Sequence, residues 1–386
     1  VSHYQGDINW REVAGSGKSF AFVRMGTSKT VDRYYAENLI EAAQAGLRVG
    51  AYWYSYAMTV EQIEAESYNL INMLAPFEIS FPVALDLEAD CQKSLSSPQL
   101  QALVDTFCRV IYSAGYTPVI YTYRNWFVNR LGDTSWHKWV AQYSDSLTMP
   151  YSYAIWQYSS HGEVAGIKGR VDLDRLYIDY FGLIPREGFA QRDGGSYYYR
   201  NFRRQKGWVY PEDGGRYFCD PATGKVWTGW ANDGSGSYYL DPYKGGRAAV
   251  GSCLIENDEY YFDEKGMMQT GFLEGCYYGG DGRMIRGRIF TTGGMNYLAS
   301  ESGRILGGIR KVGDDIYAFD KTDGHMIAGF VKKGTGVYYF GRDGRMLKNG
   351  SYEDPGALCT FDENGKLTDF PEGFSVDIAY DMDLGL

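Results

Sequence analysis

Hydrophobic and polar positions along residues 1–184 alternate between two periods. Short apolar runs at 20–25, 48–54, 82–87, 118–123, 138–143 and 153–158 read as strands. Segments with helical spacing separate the first four. Over 32–45, Tyr35, Leu39, Ile40 and Ala43 share one face, and Gly46 stands at the C-cap. The spacing predicts further helices over 60–74 and 98–114, the latter with Ser97 as N-cap and Gly115 at its end. Strand–helix alternation implies an α/β unit, a parallel sheet with helices outside, and closure into a barrel is the natural solution at this length. Helices grow scarce after residue 130, so the later strands are expected to lack full helical crossovers.

Beyond residue 184 the pattern changes. About three quarters of the 49 glycines lie there. Gly188-Phe189, Gly207-Trp208, Gly229-Trp230, Gly251-Ser252, Gly271-Phe272, Gly287-Arg288, Gly308-Ile309, Gly329-Phe330 and Gly350-Ser351 open successive units. Most units hold a tyrosine-rich core and then a turn such as Asp281-Gly282, Asp323-Gly324 or Asp343-Gly344. A period of about 20 residues with two strand-like pieces and a glycine turn predicts one β-hairpin per unit. A lone hairpin cannot bury a core, so an all-β solenoid of stacked hairpins is expected. The expected organisation is a barrel over 1–184, hairpin repeats over 185–370 and a tail over 371–386.

Composition narrows the function. A chain of 386 residues with 44% hydrophobic and 22% charged positions is folded, with two or three domains. No apolar run reaches the length of a membrane-spanning helix. A net charge of −10 argues against nucleic-acid binding. The 6 cysteines and 4 histidines show no metal-ligand spacing, so no metal is expected. The chain starts at Val1 without methionine or a signal-like segment, which reads as a processed or trimmed fragment.

Candidate chemistry centres on Ala84-Leu85-Asp86-Leu87-Glu88. Residues two apart on a strand face one way, so Asp86 and Glu88 project together beyond an apolar run. In α/β barrels that strand end carries the active site. Two close carboxylates repel when both are ionised, which raises one pKa, the arrangement glycoside hydrolysis needs. A solvated or cation-binding pair would share the pattern. Asp172 and Asp174 form a second acidic pair after another short strand. Tyr52, Tyr54 and Tyr56 alternate along one face, as do Tyr121 and Tyr123, with Trp139, Trp156 and Gln157 in later strands. Aromatic faces beside carboxylates suit a sugar, and the same rings would also serve to fill a barrel.

The segments VSHYQGDINW, GAYWYSYA, ALDLEAD, IWQYSS and VDLDRLY, in this order, resemble the glycoside hydrolase family 25 muramidases over about residues 1–184. The resemblance implies a TIM-like (β/α)5β3 barrel that cleaves the β-1,4 bond between N-acetylmuramic acid and N-acetylglucosamine in peptidoglycan. It assigns Glu88 as general acid, Asp86 as partner carboxylate and Asp172 as the later acid of the pocket. Tyr52, Tyr54, Tyr121, Trp139 and Gln157 become sugar contacts. The family's opening motif has an Asp immediately before the Val-Ser that matches Val1-Ser2, so this chain is expected to begin one residue after a pocket acid.

The repeats resemble cell-wall-binding, choline-binding-like repeats, in which tryptophans help cage a quaternary ammonium. Only Trp208 and Trp230 keep the first tryptophan of that box. The implied partners are therefore peptidoglycan and, through the repeats, a wall polysaccharide or teichoic acid, with choline as a further candidate. No cofactor, nucleic acid or membrane is implied. The expected protein is a secreted, wall-associated hydrolase, and the rival is a non-catalytic wall-glycan adhesin.

Overall fold

The computed structural model describes residues 1–354, 357–369 and 377–383. The chain forms two compact units, Val1–Gly229 with Leu240–Ala248, and Trp230–Tyr239 with Ala249–Leu386.

The first unit is built on a seven-stranded sheet in sequence order: β1 (Phe20–Thr27), β2 (Arg48–Tyr54), β3 (Val83–Asp86), β4 (Pro118–Tyr123), β5 (His137–Ala141), β6 (Ile155–Gly162) and β7 (Val171–Leu176). Pairing is parallel from β1 through β6, and β7 runs antiparallel to β6. Helix α1 (Trp10–Gly15) precedes β1, and α2 (Tyr35–Gln44), α3 (Val60–Leu74) and α4 (Ser97–Ser113) cross over after β1, β2 and β3. Asn9 caps α1 by accepting from the Glu12 N–H, a start signal that the sequence reading left unused. The cap of α4 is Ser96, one residue earlier than expected, because Gln99 reaches back to the Ser96 N–H in a capping box. After β4 only short helical segments follow among the described residues, Arg124–Trp126, Phe127–Leu131, Tyr180–Leu183 and Pro242–Lys244, as the thinning of helical spacing implied.

Alternation along each strand separates two cores. Val23, Met25, Val49, Ala51, Trp53, Val83, Leu85, Ile120 and Val140 pack outward against Leu39, Ile63, Leu70, Leu103 and Phe107 of the helices. Phe22, Ala84, Val119, Tyr121, Trp139 and Ile155 point inward and form a second cluster. The sheet curls enough that Phe22 of β1 stacks on Trp139 of β5, with ring centroids 4.2 Å apart and planes at 24°. Gly50 in β2 makes room for this, since a Cβ there would lie 2.6 Å from the Pro82 carbonyl oxygen and 2.7 Å from the Phe22 ring. The result is a curled half-barrel. Among the described residues no ladder joins β7 to β1. The free edge of β1 is instead covered by Val1, whose nitrogen donates to the Phe22 carbonyl (2.8 Å) and whose carbonyl accepts from the Arg24 N–H (3.0 Å).

The change of backbone style at residue 184 lies inside the first unit. The hairpin Glu187–Arg192 and Gly195–Arg200 sends Ala190, Tyr197 and Tyr199 into the same cluster as Phe81, Tyr180 and Ile184. Beyond it, the Arg204 N–H donates to the Gly115 carbonyl (3.0 Å), and the Arg204 guanidinium lies 3.3 Å from the Tyr112 ring centroid.

The second unit consists of small antiparallel hairpins, among them Gly251–Ile255 with Asp258–Phe262, Gly271–Leu273 with Cys276–Tyr278, and Gly308–Val312 with Asp315–Phe319. A residue that follows each hairpin bonds back to an earlier one. Met284 N–H donates to Glu259 O, Ile305 N–H to Gly275 O, and Met346 N–H to Ile316 O. The same side chains reach forward onto the turn glycine of the next unit: Met284 on Gly303, Ile305 on Gly324, and Met346 on Gly365. A Gly-x-Met or Gly-x-Ile tripeptide therefore receives one neighbour and contacts the next. Of the expected tail, Ile378–Asp381 pairs in parallel with Gly329–Lys333, while 371–376 and 384–386 lie outside the described residues.

Gly303 has φ +84°, and a Cβ there would sit 2.5 Å from the Met284 sulfur. Gly303→Ala should therefore destabilise the hairpin unit by about 1–3 kcal/mol through overpacking and left-handed strain, read as a lower urea midpoint. An unchanged midpoint would remove this contact from the stacking account.

Candidate active site

Asp86 ends β3 and Glu88 follows it. The backbone here is stitched from both sides: Ser55 N–H donates to Asp86 O (3.1 Å), Leu87 N–H to Tyr121 O (3.0 Å), and the Thr122 hydroxyl to Leu87 O (2.6 Å). Register places Tyr54 and Tyr121 beside Asp86 on the neighbouring strands. These strand ends open into a cleft of about 420 Å³. Tyr52, Tyr54, Asp86, Glu88, Tyr121, Trp139, Gln157 and Asp172 all line it, joined by Asp174 and Arg24. The structure thus gathers around one cavity the barrel residues to which the resemblance gives a role, whereas Tyr56, Tyr123 and Trp156, also noted in the sequence, are not part of its lining. Trp208 and Trp230 lie in the hairpins and line no part of this cleft.

The carboxyl groups are held away from water. Asp86 is 5% exposed, and its Oδ1, like Glu88 Oε2, is buried with no hydrogen-bond partner. Buried polar atoms are normally paired, so two orphan carboxyl oxygens on one cavity mark a place prepared for a ligand. Burial and the negative charge of Asp172 push Glu88 up to about 7. Burial, then Glu88, hold Asp86 well above the usual carboxylate range, and Arg24 opposes them. Burial pushes Asp174 up to about 7 even though the Trp139 indole N–H donates to its Oδ1 at 2.7 Å. Asp172 is exposed at the mouth, so solvent screens its own upward shift.

The aromatic wall is fixed by its contacts. Trp139 is held by Phe22, by the Asp174 carboxyl and by Tyr121, whose ring lies 4.7 Å away edge-on. Gln157 Oε1 accepts from both Tyr121 and Tyr143 hydroxyls at 2.9 Å, which orients its amide. Tyr143 and Arg24 were not singled out from sequence. Arg24 had a signal, since it continues the inward alternation of Phe20 and Phe22. Tyr143 lies past the end of β5, where alternation gives no guide.

In the repeats, Trp208 packs against Phe218 at 5.2 Å, and the Arg216 guanidinium lies 4.7 Å from its ring centroid. Trp230 is 41% exposed and rests edge-on against Tyr239 and Tyr260.

Inward carboxyls at the strand ends of a curled α/β sheet, walled by fixed aromatic rings, define a site of the glycoside hydrolase class. Residues 1–167 match the model of Glycosyl hydrolases family 25. Over 198 residues the chain is 32% identical to Lysozyme M1 of Streptomyces globisporus, a match covering 46% of this chain and 66% of that protein. Over 176 residues it is 28% identical to the Autolytic lysozyme of Clostridium acetobutylicum, covering 45% of this chain and 53% of that protein. A solved bacterial lysozyme from Streptomyces coelicolor is 26% identical, covering 46% of this chain and 89% of that one, with a TM-score of 0.40. The family model and the two lysozyme relatives support a family 25 lysozyme domain in the N-terminal part of the chain.

A carboxyl raised from 4.5 to about 7 binds its proton more tightly in the folded state. Its unfavourable contribution is absent below the unfolded value and grows as pH rises toward the folded one. Glu88→Gln, neutral throughout, should therefore raise stability by about 1–3 kcal/mol at pH 8 and change it little at pH 4, measured by urea denaturation. An equal effect at both pH values would show that the charge is not what burial penalises.

Proposed function

We propose that this protein is a secreted peptidoglycan hydrolase that cleaves the β-1,4 bond between N-acetylmuramic acid and N-acetylglucosamine. In this reading the curled sheet is the family's (β/α)5β3 barrel, and the hairpins form a wall-binding solenoid over 185–370. The observation that carries it is the pair of buried, unpartnered carboxyl oxygens of Asp86 and Glu88 in an aromatic-walled cleft. Glu88, protonated near neutral pH, gives its proton to the glycosidic oxygen as the C1–O bond breaks. Asp86, once ionised, faces the positive charge that develops at the sugar ring, either directly or by orienting the 2-acetamido group. Water then adds to C1, and its proton returns to the Glu88 carboxylate. Asp172 at the mouth adds negative charge that helps keep Glu88 protonated. Tyr52, Tyr54, Tyr121, Trp139 and Gln157 hold the sugars by ring faces and hydrogen bonds.

The hairpin repeats hold the enzyme on an insoluble substrate and raise its local concentration there. Their ligand in this reading is a wall polysaccharide or teichoic acid. Choline is the weaker candidate, because the Arg216 guanidinium already occupies the face of Trp208 that a quaternary ammonium would need.

Purified peptidoglycan treated with the protein should release fragments with N-acetylmuramic acid at the reducing end, identified by mass spectrometry after borohydride reduction. Glu88→Gln should lower the rate at least about 100-fold while wall binding persists. Reducing-end N-acetylglucosamine would mean the other bond is cut. No release by a protein that still binds walls would favour the adhesin.

A further inference from the structure

Four carboxyls line the cleft, Asp86, Glu88, Asp172 and Asp174, against two cationic side chains, Lys18 and Arg24, and the amino group of Val1, which acts on Asp172 and Asp174. Lys18 is exposed, whereas the Arg24 side chain is only 12% exposed. Arg24 pairs in register with Tyr52 of β2, and Tyr52 with Ala84 of β3, one inward position before Asp86. The guanidinium is anchored from behind. Its Nε donates to Asp32 Oδ2 at 3.0 Å, and its Nη2 lies 2.9 Å from the same oxygen. Asp32 is wholly buried, outside the cleft lining, and also accepts from the backbone N–H groups of His3 and Tyr34, both at 3.0 Å. These bonds hold the Asp32 carboxyl low, hence ionised. Asp32 and the His3 ring, whose Nδ1 also contacts Arg24 Nη2, thus fix the guanidinium in the cleft lining.

The groups facing Asp86 divide clearly. Tyr52 and Tyr54 from β2 and Tyr121 from β4 are neutral hydroxyls, pushed up by burial. Glu88 beyond β3 and Asp172 from β7 are acids whose ionisation disfavours a charge on Asp86. Arg24 from β1 is the cation that opposes them.

We infer that Arg24 is a positioning residue for this site: its Asp32-anchored guanidinium favours the ionised form of Asp86 and so biases the proton shared between Asp86 and Glu88 toward Glu88. This rests on the reading of Glu88 as the acid. Two like carboxyls in one dry cavity have no inherent order of ionisation, and an asymmetric cation supplies one. It biases the pair toward an acid and an anion, which is the division the proposed hydrolysis requires.

The test is a carbon-13 NMR titration of the Asp86 and Glu88 carboxyls in the substrate-free protein, with kcat and KM measured against pH. Arg24→Met should move the Asp86 titration upward by about one pH unit or more. The acidic limb of the kcat profile should move the same way, with KM little changed. Arg24→Lys keeps a charge and should return the Asp86 titration most of the way. If Arg24→Met does not fold, Arg24→Gln, still able to donate to Asp32, makes the same measurement. An Asp86 titration that stays in place without the guanidinium overturns the inference, as does an equal loss of kcat in the Met and Lys variants with no titration shift. The titration needs no substrate, so a wild-type protein that releases no muramic acid ends would sink the hydrolase reading while leaving the effect of Arg24 on Asp86 measurable.

Discussion

Keeping carboxyl groups out of water is the constraint on which the first unit turns. An ionised carboxylate removed from water without a partner is costly, and here Asp86 and Glu88 each leave one oxygen unpaired. The surrounding structure must be rigid enough to deny them the relaxation that would bring water in. The backbone bonds at Ser55, Leu87 and Thr122 do this along β3 and its neighbours. The Trp139 indole does it across the cavity, with its N–H on Asp174 and its face on Phe22. Destabilised groups at a site are the usual cost of preorganised electrostatics, and the outward core of Val, Ile and Leu against three long helices offsets it.

The curl of the sheet follows from the same demand. A flat parallel sheet would leave β1 and β5 four strands apart. Phe22 and Trp139 meet because the inward positions between them are small or shared, with Gly50 and Ala84 giving the rings space. Below them Phe20, Phe81 and Tyr180 fill the interior with stacked and edge-on rings. The interior is thus packed at one end and hollow at the other. The hollow end is the one toward which the parallel strands point their C-termini, as the barrel rule requires of a site.

Much of this was legible in the sequence, for physical reasons. Strand alternation is strict wherever one face meets helices and the other meets the interior, so Tyr52 and Tyr54 could be put on one face and Trp53 on the other. Asp86 and Glu88 stood out because residues two apart share one face, here at the C-terminal end of a buried strand. What escaped depends on contacts between distant segments. Asp32 reads as a helix-start acid, and only the fold brings it behind Arg24. The packing of the first hairpin against Phe81 and Tyr180 is likewise invisible to a composition count, which sees only a rise in glycine at residue 185. The Asp-Gly turns at Gly282, Gly324 and Gly344 each open a Gly-x-Met tripeptide. Their meaning lies in the methionine, whose unbranched chain reaches the glycine of the next turn.

The repeats obey a different logic, in which each hairpin answers only to its neighbours. The aromatic residue after the opening glycine packs on a tyrosine of the following hairpin with nearly constant geometry. Phe189 meets Tyr217, Trp230 meets Tyr260, and Phe272 meets Tyr297, each at 4.9 Å and 62–66°. Phenylalanine serves this edge-on contact as well as tryptophan, so stacking places no premium on a tryptophan there. Phe189, Trp230 and Phe272 nonetheless remain 39%, 41% and 49% exposed, although each ring has found its structural partner. A ring that is half committed to its neighbour and half open to solvent presents one face for recognition at no cost to the stack. That separates the two demands on the repeat. Backbone bonds, glycines and methionines fix the spacing of the hairpins, and the exposed aromatic face is left free to vary.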